Sequence, residues 1–520
     1  MILNFSSFFH HEESSSWDYV DKQSMYHGDY TLRSLLFFTS MAAAVSSNEK
    51  FTVVERDDVE TASANEDTPK LDALANKKLV WKIDLRIVPL SAFIYLLCNI
   101  DRSNIGNAKI MNKEEGHDLL TETRLTSKQY TIALTIFFLA YALFEVPSNI
   151  LLKRLRPSRW IATLMFIWGA ITVGLGGVTN YATLTTVRFL LGAFEAGLFP
   201  GLVYYVTFWY RPEERSLRVA LILASATLAG AFGGAIAYGI ANMEGSSGLS
   251  AWRWLFILEG IPSAVLAFPI WFCLPDYPET ASWLSPEEKA LSAARLKDSS
   301  KSSGRGLSWR DITSTLTEWR LWIHFLIYFG ISAPFSSMSL FAPTIVSGLG
   351  YTSLRAQLMT VPPYAVSWVF SILIGYVADR LNRRGLFSAV FAAIGAIGFI
   401  ASATLPQDAY KSRYGTLIIA CAGAFSSIPP LLGWLSCNMR STATTGLAVA
   451  LNISFGAPGQ IVGVWIYKSE EASKGYPTGH WTNAALLIFV SAGCIGLHLL
   501  YKSRNQRIRE NSSSEPLWKL

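Results

Sequence analysis

The sequence predicts an all-α membrane protein of twelve transmembrane helices arranged as two six-helix halves. Three observations carry that prediction. Only 16% of the 520 residues are charged and 51% are hydrophobic, against about 25% charged in a soluble protein. Twelve mostly apolar stretches each reach the roughly 20 residues that a helix needs to cross a bilayer core. Clusters of arginine and lysine recur in alternate connections. Mean hydropathy is +0.29 although the first 80 residues are largely polar, so the remainder is more apolar than the mean.

In order, the spans run near 84–108, 130–152, 160–179, 183–209, 217–241, 254–275, 320–342, 355–378, 386–405, 414–437, 444–467 and 482–501. Polar or proline residues interrupt the first, fourth, seventh and eleventh. Membrane helices tolerate such breaks where neighbours re-satisfy the freed backbone groups. Lys153, Arg154, Arg156 and Arg159 lie between spans two and three with no acid among them. Arg211, Arg215 and Arg218 follow span four, Arg380, Arg383 and Arg384 follow span eight, and Lys502, Arg504, Arg507 and Arg509 follow span twelve. The connections after spans three and seven carry no basic residue. This alternation obeys the positive-inside rule with both termini in the cytoplasm, which requires an even number of spans.

The longest internal connection, 276–319, is polar and contains Lys289, Arg295, Lys297, Lys301 and Arg305. It splits the chain into a tail (1–80), a first half (81–275), a cytoplasmic loop (276–319), a second half (320–502) and a tail (503–520). Such a six-plus-six array suggests a secondary transporter built from two related halves. Pro286-Glu287-Glu288-Lys289 reads as the start of a short amphipathic helix in that loop. The N-terminal tail is expected to be disordered. Its apolar stretch Leu32–Val45 is too short to span, and no basic region with a cleavage site marks it as a signal peptide. Met41-Ala42-Ala43-Ala44-Val45 could itself serve as a start, so residues 1–40 are expected to precede the native one.

Several function classes fall away. Net charge is +6 with no basic block, so no nucleic-acid partner is expected. The phosphate loop G-x-x-x-x-G-K-[ST] is missing, which argues against ATP-driven transport. Cys98, Cys273, Cys421, Cys437 and Cys494 sit in or beside apolar runs without ligand spacing. They read as buried free thiols. No nucleophile elbow, zinc helix or Cys/His cluster is present, so neither an enzyme nor a bound metal or cofactor is expected.

The charges inside the membrane are more informative. Each Asp, Arg or Lys at a helix centre costs roughly 2.5–3.5 kcal/mol, yet span one contains Asp101 and Arg102 and span four contains Arg188 and Glu195. Unpaired and facing lipid they would cost on the order of 10 kcal/mol, so they must face one another or a wet cavity. Asp101 stands roughly 21 Å up span one, a depth that Arg188 shares on span four. Arg188 and Glu195 lie on one face about 10 Å apart, too far for direct pairing. Asp101 and Arg102 point about 100° apart, and Asp101, Asn104 and Asn107 form a polar stripe. Spans seven to eleven offer instead neutral groups, Ser336, Ser337, Ser339, Asn452 and Gln460, with His324 expected to be structural. The aromatics of span four (Tyr204, Tyr205, Phe208, Trp209 and Tyr210) suit an interfacial belt. Gly197-x-x-x-Gly201 and Gly230-x-x-x-Gly234 suit close helix packing.

Charge counting suggests a mechanism. The four intramembrane charges sum to zero, and protonating one acid leaves +1, which matches a monoanion. A carboxylate in a poorly solvated cavity favours its neutral form, so the pattern fits proton–anion symport. Arg102 or Arg188 would hold the substrate carboxylate, with Asn104, Tyr141 and Asn452 as further binding candidates. Asp101 or Glu195 would carry the proton.

Specific strings go further. Gly375-Tyr-Val-Ala-Asp379-Arg380-Leu-Asn382-Arg383-Arg384-Gly385 resembles the G-x-x-x-D-R-x-G-R-R loop of the major facilitator superfamily. The resemblance implies that Asp379, Arg380 and Arg383 latch the cytoplasmic gate, and Glu145 reads as a gate or packing partner of loop arginines. Asn382 stands where that loop has its second glycine, and asparagine tolerates the left-handed conformation. The first-half loop, Pro147 to Trp160, lacks the Gly and Asp. That departure and the strings NIDRSNIGNAK (99–109), FEVPSN (144–149), RFLLGAFEAGLFPG (188–201), LEGIPS (258–263), LPDYPETASWLSPEE (274–288), MTVPPY (359–364) and YPTGHWTN (476–483) resemble the fungal anion:cation symporters, the allantoate and nicotinate permease group. The resemblance covers roughly 80–510. It implies the major facilitator fold, a small organic anion and a proton as partners, and a plasma-membrane location. It further implies that the Asp-Arg of span one and the Arg…Glu of span four serve binding and coupling. Two alternatives remain: an exporter of an acidic metabolite or drug by proton antiport on the same fold, and a nutrient-sensing receptor, which would be expected to carry a large soluble domain.

Overall fold

The structure, a computed structural model, describes residues 73–303, 313, 315–439, 442–511 and 517–520. The expectations for residues 1–40, for the disordered tail up to 72 and for Arg305 lie outside the described residues. Twelve helices are long and apolar enough to cross a membrane. They are α1 (Ala73–Ala108), α2 (Ser127–Arg154), α3 (Pro157–Leu175), α4 (Tyr181–Glu195 continued by Leu198–Val206), α5 (Pro212–Ala241) and α6 (Ala251–Cys273). The second set is α7 (Trp319–Ser347), α8 (Ser353–Leu358 continued by Val361–Leu381), α9 (Arg384–Thr404), α10 (Tyr410–Cys437), α11 (Thr442–Trp465) and α12 (Pro477–Glu510).

Local chemistry sets many of the ends. Thr126 with Gln129 and Asn180 with Thr183 form capping boxes at α2 and α4, while Pro157, Pro212 and Pro477 open α3, α5 and α12, where a missing N–H costs nothing. Of the four expected interruptions only that of α4 is a break. α1, α7 and α11 run straight through Pro89, Pro334 with Pro343, and Pro458. α4 breaks after Glu195, where Pro200 cannot donate to the Ala196 carbonyl. α8 breaks at Met359-Thr360 for the same reason, since Pro362 and Pro363 have no N–H.

The packing repeats with a period of six helices. α3 lies on α6 as α9 lies on α12, α1 on α5 as α7 on α11, and α2 on α4 as α8 on α10. The two sets meet through α1 with α7, α2 with α11, and α5 with α8 and α10. Gly230 and Gly234 permit the α5–α8 contact: a Cβ on Gly230 would lie 2.7 Å from the Tyr364 ring, and one on Gly234 would lie 2.7 Å from the Gln357 carbonyl oxygen. Phe268, Phe272, Ile397 and Leu499 are exposed on the outer faces, as lipid-facing side chains are.

The end at which α1 starts and α12 finishes is tied by charge. Arg218 of α5 holds Asp84 of α1 through two hydrogen bonds of 2.9 and 2.6 Å. A connecting helix, Pro286–Ser303, starts on a capping box of Ser285 and Glu288. Its Glu288 accepts from Lys82 at 2.7 Å, which holds that carboxyl below the usual range. Its Arg295 reaches Glu214 of α5.

Two local expectations are corrected. Tyr205, Trp209 and Tyr210 are buried rather than interfacial, because the 275–283 segment folds over them: Tyr205 donates to the Pro275 carbonyl and Trp209 stacks on Trp283. Cys273 is exposed and Cys437 half-buried, while Cys98, Cys421 and Cys494 are buried. Within 503–520, α12 runs to Glu510 and Trp518 stacks on Tyr501.

Candidate functional site

Asp101 and Arg102 occupy successive positions on α1, so helix geometry sends them to different neighbours. Arg102 turns toward α2 and α4. Its Nε donates to Glu195 Oε2 at 2.9 Å, and its guanidinium lies 4.8 Å from the Tyr141 ring centre and 5.5 Å from that of Phe137. Arg102 is 8% exposed and Glu195 not at all. Glu195 Oε1 accepts no hydrogen bond among the described residues. Asp101 turns toward α3 and α6, where its Oδ2 accepts from Trp168 Nε1 at 3.1 Å and Ser263 Oγ at 2.5 Å.

Arg188 is 1% exposed. Its Nη1 donates to the Arg102 carbonyl at 3.5 Å and its Nη2 to Asn104 Oδ1 at 3.4 Å. No carboxylate of the described residues pairs with it, and its Nε is left without a partner. The separation of Arg188 from Glu195 along α4 is thus not bridged directly; α1 intervenes.

A cavity lies between the two sets of helices. Tyr95, Arg102, Tyr141, Phe199 and Leu223 line it from the first set, and Tyr328, Ser332, Phe335, Ile428 and Gln460 from the second. Among the described residues, Arg102 is its only charged lining residue. Of the five residues expected to bind substrate, Arg102 and Tyr141 reach the cavity. Arg188, Asn104 and Asn452 do not line it. Asn104 is two residues beyond Arg102, about 200° around the helix, and Asn452 is buried in α11 while its neighbour Ile453 faces the cavity. Neither proton candidate lines it: Glu195 sits behind Arg102, and Asp101 on the opposite side of α1.

The expected gating residues fall into two places. Glu145 of α2 is buried and accepts from Ser454 Oγ of α11 at 2.9 Å. It ties the two sets of helices together and does not meet a loop arginine, because its side chain points into the interface. At the end of α8, Asp379 pairs with Arg384 at 2.6 Å. Arg380 instead bonds the Tyr376 hydroxyl, and Arg383 is exposed. Asn382 has φ 51° and ψ 40°, so it takes the left-handed turn that puts Arg384 within reach of Asp379. His324 is buried against Trp434 and Tyr501, a structural position.

One group escaped sequence reasoning. Glu259 of α6 is 4% exposed and neither of its carboxyl oxygens has a hydrogen-bond partner among the described residues. The signal existed, as a fifth charge inside a span. Placing the start of span six at 254 set Glu259 near the edge, whereas α6 begins at Ala251.

Comparison with known proteins agrees with this architecture. The family model described as Major Facilitator Superfamily matches residues 92–464. The chain is 65% identical over 448 residues to the MFS transporter prlL of Fungal sp. (strain NRRL 50135), covering 86% of this chain and 90% of that one. It is 29% identical to the high-affinity nicotinic acid transporter of Saccharomyces cerevisiae, covering 87% and 83%. The proton:xylose symporter XylE bound to 6-bromo-6-deoxy-D-glucose superposes with a TM-score of 0.60 at 17% identity, over 81% of this chain and 95% of that one. A bacterial homologue of the human lysosomal transporter Spinster gives 0.59 at 16%, over 79% and 96%. These relatives are transporters and not enzymes. The chain belongs to the Major Facilitator Superfamily and is a multi-pass membrane transporter.

Proposed function

We propose that this transporter carries a small organic anion, a carboxylate such as nicotinate, allantoate or a related nutrient, in symport with protons. The observation that carries the reading is the position of Arg102, the one charged residue on the cavity wall, with its charge already taken by the buried Glu195. A substrate carboxylate entering the cavity competes with Glu195 for the guanidinium. Arginine suits this exchange because its fork presents parallel N–H groups to a carboxylate. Tyr141, stacked against the guanidinium, fixes its plane.

Glu195 cannot simply be set free. It is fully buried, and its second oxygen already lacks a donor, so an ionised Glu195 without Arg102 would be an uncompensated buried charge. A proton removes that charge. Substrate on Arg102 and a proton on Glu195 therefore favour each other, which is the thermodynamic content of symport. Arg188 braces the carbonyl of Arg102 and the side chain of Asn104, so it acts through α1 rather than on the substrate. The related yeast nicotinic acid transporter handles a carboxylate of the proposed class. We place the protein in the plasma membrane with both termini in the cytoplasm, and the Glu145–Ser454 and Asp379–Arg384 contacts at its gate.

Purified protein in proteoliposomes tests the reading with labelled nicotinate and a panel of other small carboxylates. An inward proton gradient should drive accumulation of at least one of them, abolished by a protonophore. Accumulation indifferent to the gradient, or uptake confined to neutral or cationic compounds, overturns it.

A further inference from the structure

Behind the Arg102–Glu195 pair lies a second polar cluster that this mechanism does not use. We propose that Glu259 is a proton-binding site: it holds its proton as a neutral carboxyl beside an ionised Asp101. Glu259 and Ser263 are four residues apart on α6 and so share a face. Ser263 donates to Asp101, which turns that face toward α1.

Two carboxyl groups thus share one buried space, and they are unequally provided for. Asp101 receives two donors, Trp168 and Ser263, on a single oxygen. Glu259 receives none within hydrogen-bond distance on either oxygen among the described residues, with Asn104 as its polar neighbour. Like charges at close quarters cannot both ionise, and an ionised carboxylate without donors is the costlier of the two to bury. The donors decide the outcome: Asp101 keeps the charge and Glu259 the proton.

No other charge contests this assignment. α3, α1 and α5 pack on α6. The only ionisable residue of α3 is Arg159 in its first turn, and those of α5 are Glu213, Glu214, Arg215 and Arg218 in its first two turns together with Tyr238 near its far end. These helices start at the end opposite to the start of α6, two turns from which Glu259 stands, and Tyr238 is half-buried. On α6 itself, Arg253 is engaged with Glu122. From α1, Asp101 faces the site and Arg102 is held on the other side by Glu195. Gly260 seals the flank toward α3, where a Cβ would lie 2.7 Å from the Val173 nitrogen. A partner for the ionised form is also at hand. Asn104 Nδ2 has no acceptor among the described residues and its Oδ1 is bonded to Arg188, so it can donate to Glu259 when the proton leaves.

The place of this proton in transport rests on the proton-coupled reading, but its test does not. Difference infrared spectra of the full-length protein in lipid, without substrate, are recorded in water and heavy water at neutral pH. A carboxyl C=O band sensitive to heavy water is expected in the wild type, in Glu195→Gln and in Asp101→Asn, and lost in Glu259→Gln. Labelling the wild type with isotopically heavy glutamate, but not aspartate, should shift the same band, and the band should also survive in Glu145→Gln, which with Glu195→Gln leaves Glu259 as the carrier even if Glu259→Gln fails to fold. No band, a band that survives Glu259→Gln, a band that shifts with aspartate label, or one bleached by sodium relative to potassium overturns the proposal. Loss of the band in Glu259→Gln without proton-driven uptake would leave this site standing and remove symport. Coupled uptake with an unchanged band would do the reverse.

Discussion

Arg102 and Glu195 form an ion pair of 2.9 Å in which only the arginine faces the central cavity. The glutamate is the last residue of the first segment of α4, immediately before that helix breaks. A carboxylate of the proposed kind would therefore reach one partner and not the other, and release of the glutamate would be a movement at a point where the backbone ladder is already interrupted.

Glu195→Gln tests the coupling. The amide keeps the size of the side chain and can still meet Arg102, but it cannot take up a proton. Counterflow of labelled against unlabelled carboxylate should persist, while accumulation driven by a proton gradient falls to equilibration. For one coupled proton the wild type should reach about tenfold accumulation per pH unit, since one unit is worth about 1.4 kcal/mol. Wild-type accumulation in the variant removes Glu195 from the coupling step.

Arg102→Ala separates stability from transport. Removing the arginine leaves Glu195 buried and unpaired, a change that costs about 3–5 kcal/mol. The double variant Arg102→Ala with Glu195→Gln carries no such charge and should recover much of the loss in thermal unfolding. Neither protein should bind a carboxylate, because the cavity has lost its only charged lining residue. Equal destabilisation of the single and double variants would mean that the pair does not act as a unit.

How far the sequence spoke depended on the kind of question. Twelve spans were legible because lipid demands continuous apolar helices, and the left-handed Asn382 was legible because few residues other than glycine accept that turn. Intramembrane charges announced themselves by their cost, so Asp101, Arg102, Arg188 and Glu195 were visible as a group. Their pairing was not. Which of two adjacent side chains, Asp101 or Arg102, faces the cavity depends on the rotation of α1, and that is set by Trp168 and Ser263 on other helices. Glu145 found Ser454 across the interface for the same reason: a contact 309 residues away in sequence leaves no local pattern. The burial of Tyr205 and Trp209 was hidden because an aromatic run at a span end reads the same whether lipid or a folded-back loop covers it.

The Glu145–Ser454 contact yields a prediction about conformation. It joins α2 to α11 across the two sets of helices, and Glu145 Oε1 has no hydrogen-bond partner among the described residues. Ser454→Ala removes the one side-chain donor shown for this buried carboxylate, at a cost of about 1–3 kcal/mol. That cost falls on the arrangement seen here and is relieved when the halves part. A cysteine placed at Ser332 on the cavity wall should then be alkylated faster in the Ser454→Ala background than in the wild type. An unchanged rate would show that this contact does not hold the cavity closed.

Trp518 offers a test at the opposite extreme of the chain. It stacks on Tyr501 of α12 at 5.4 Å, and the guanidinium of Arg320 of α7 lies 3.8 Å from its ring centre. Beside it, Trp434 Nε1 and Asn438 Nδ2 of α10 donate to the Lys519 carbonyl, and the Arg384 backbone N–H donates to that of Leu520. Three membrane helices and the start of a fourth are thus stapled by one short segment, and the fourth is the one whose Arg384 pairs with Asp379. An aromatic pair contributes about 0.5–1.5 kcal/mol beyond burial and a cation–π contact about 0.5–2 kcal/mol. Trp518→Ala should therefore lower stability by roughly 1–3 kcal/mol. Hydrogen exchange should locate the effect, with faster exchange at the ends of α10 and α9 and none at α3 or α6. Protection unchanged at Trp434 and Arg384 would mean that the segment rests on the helices without bracing them.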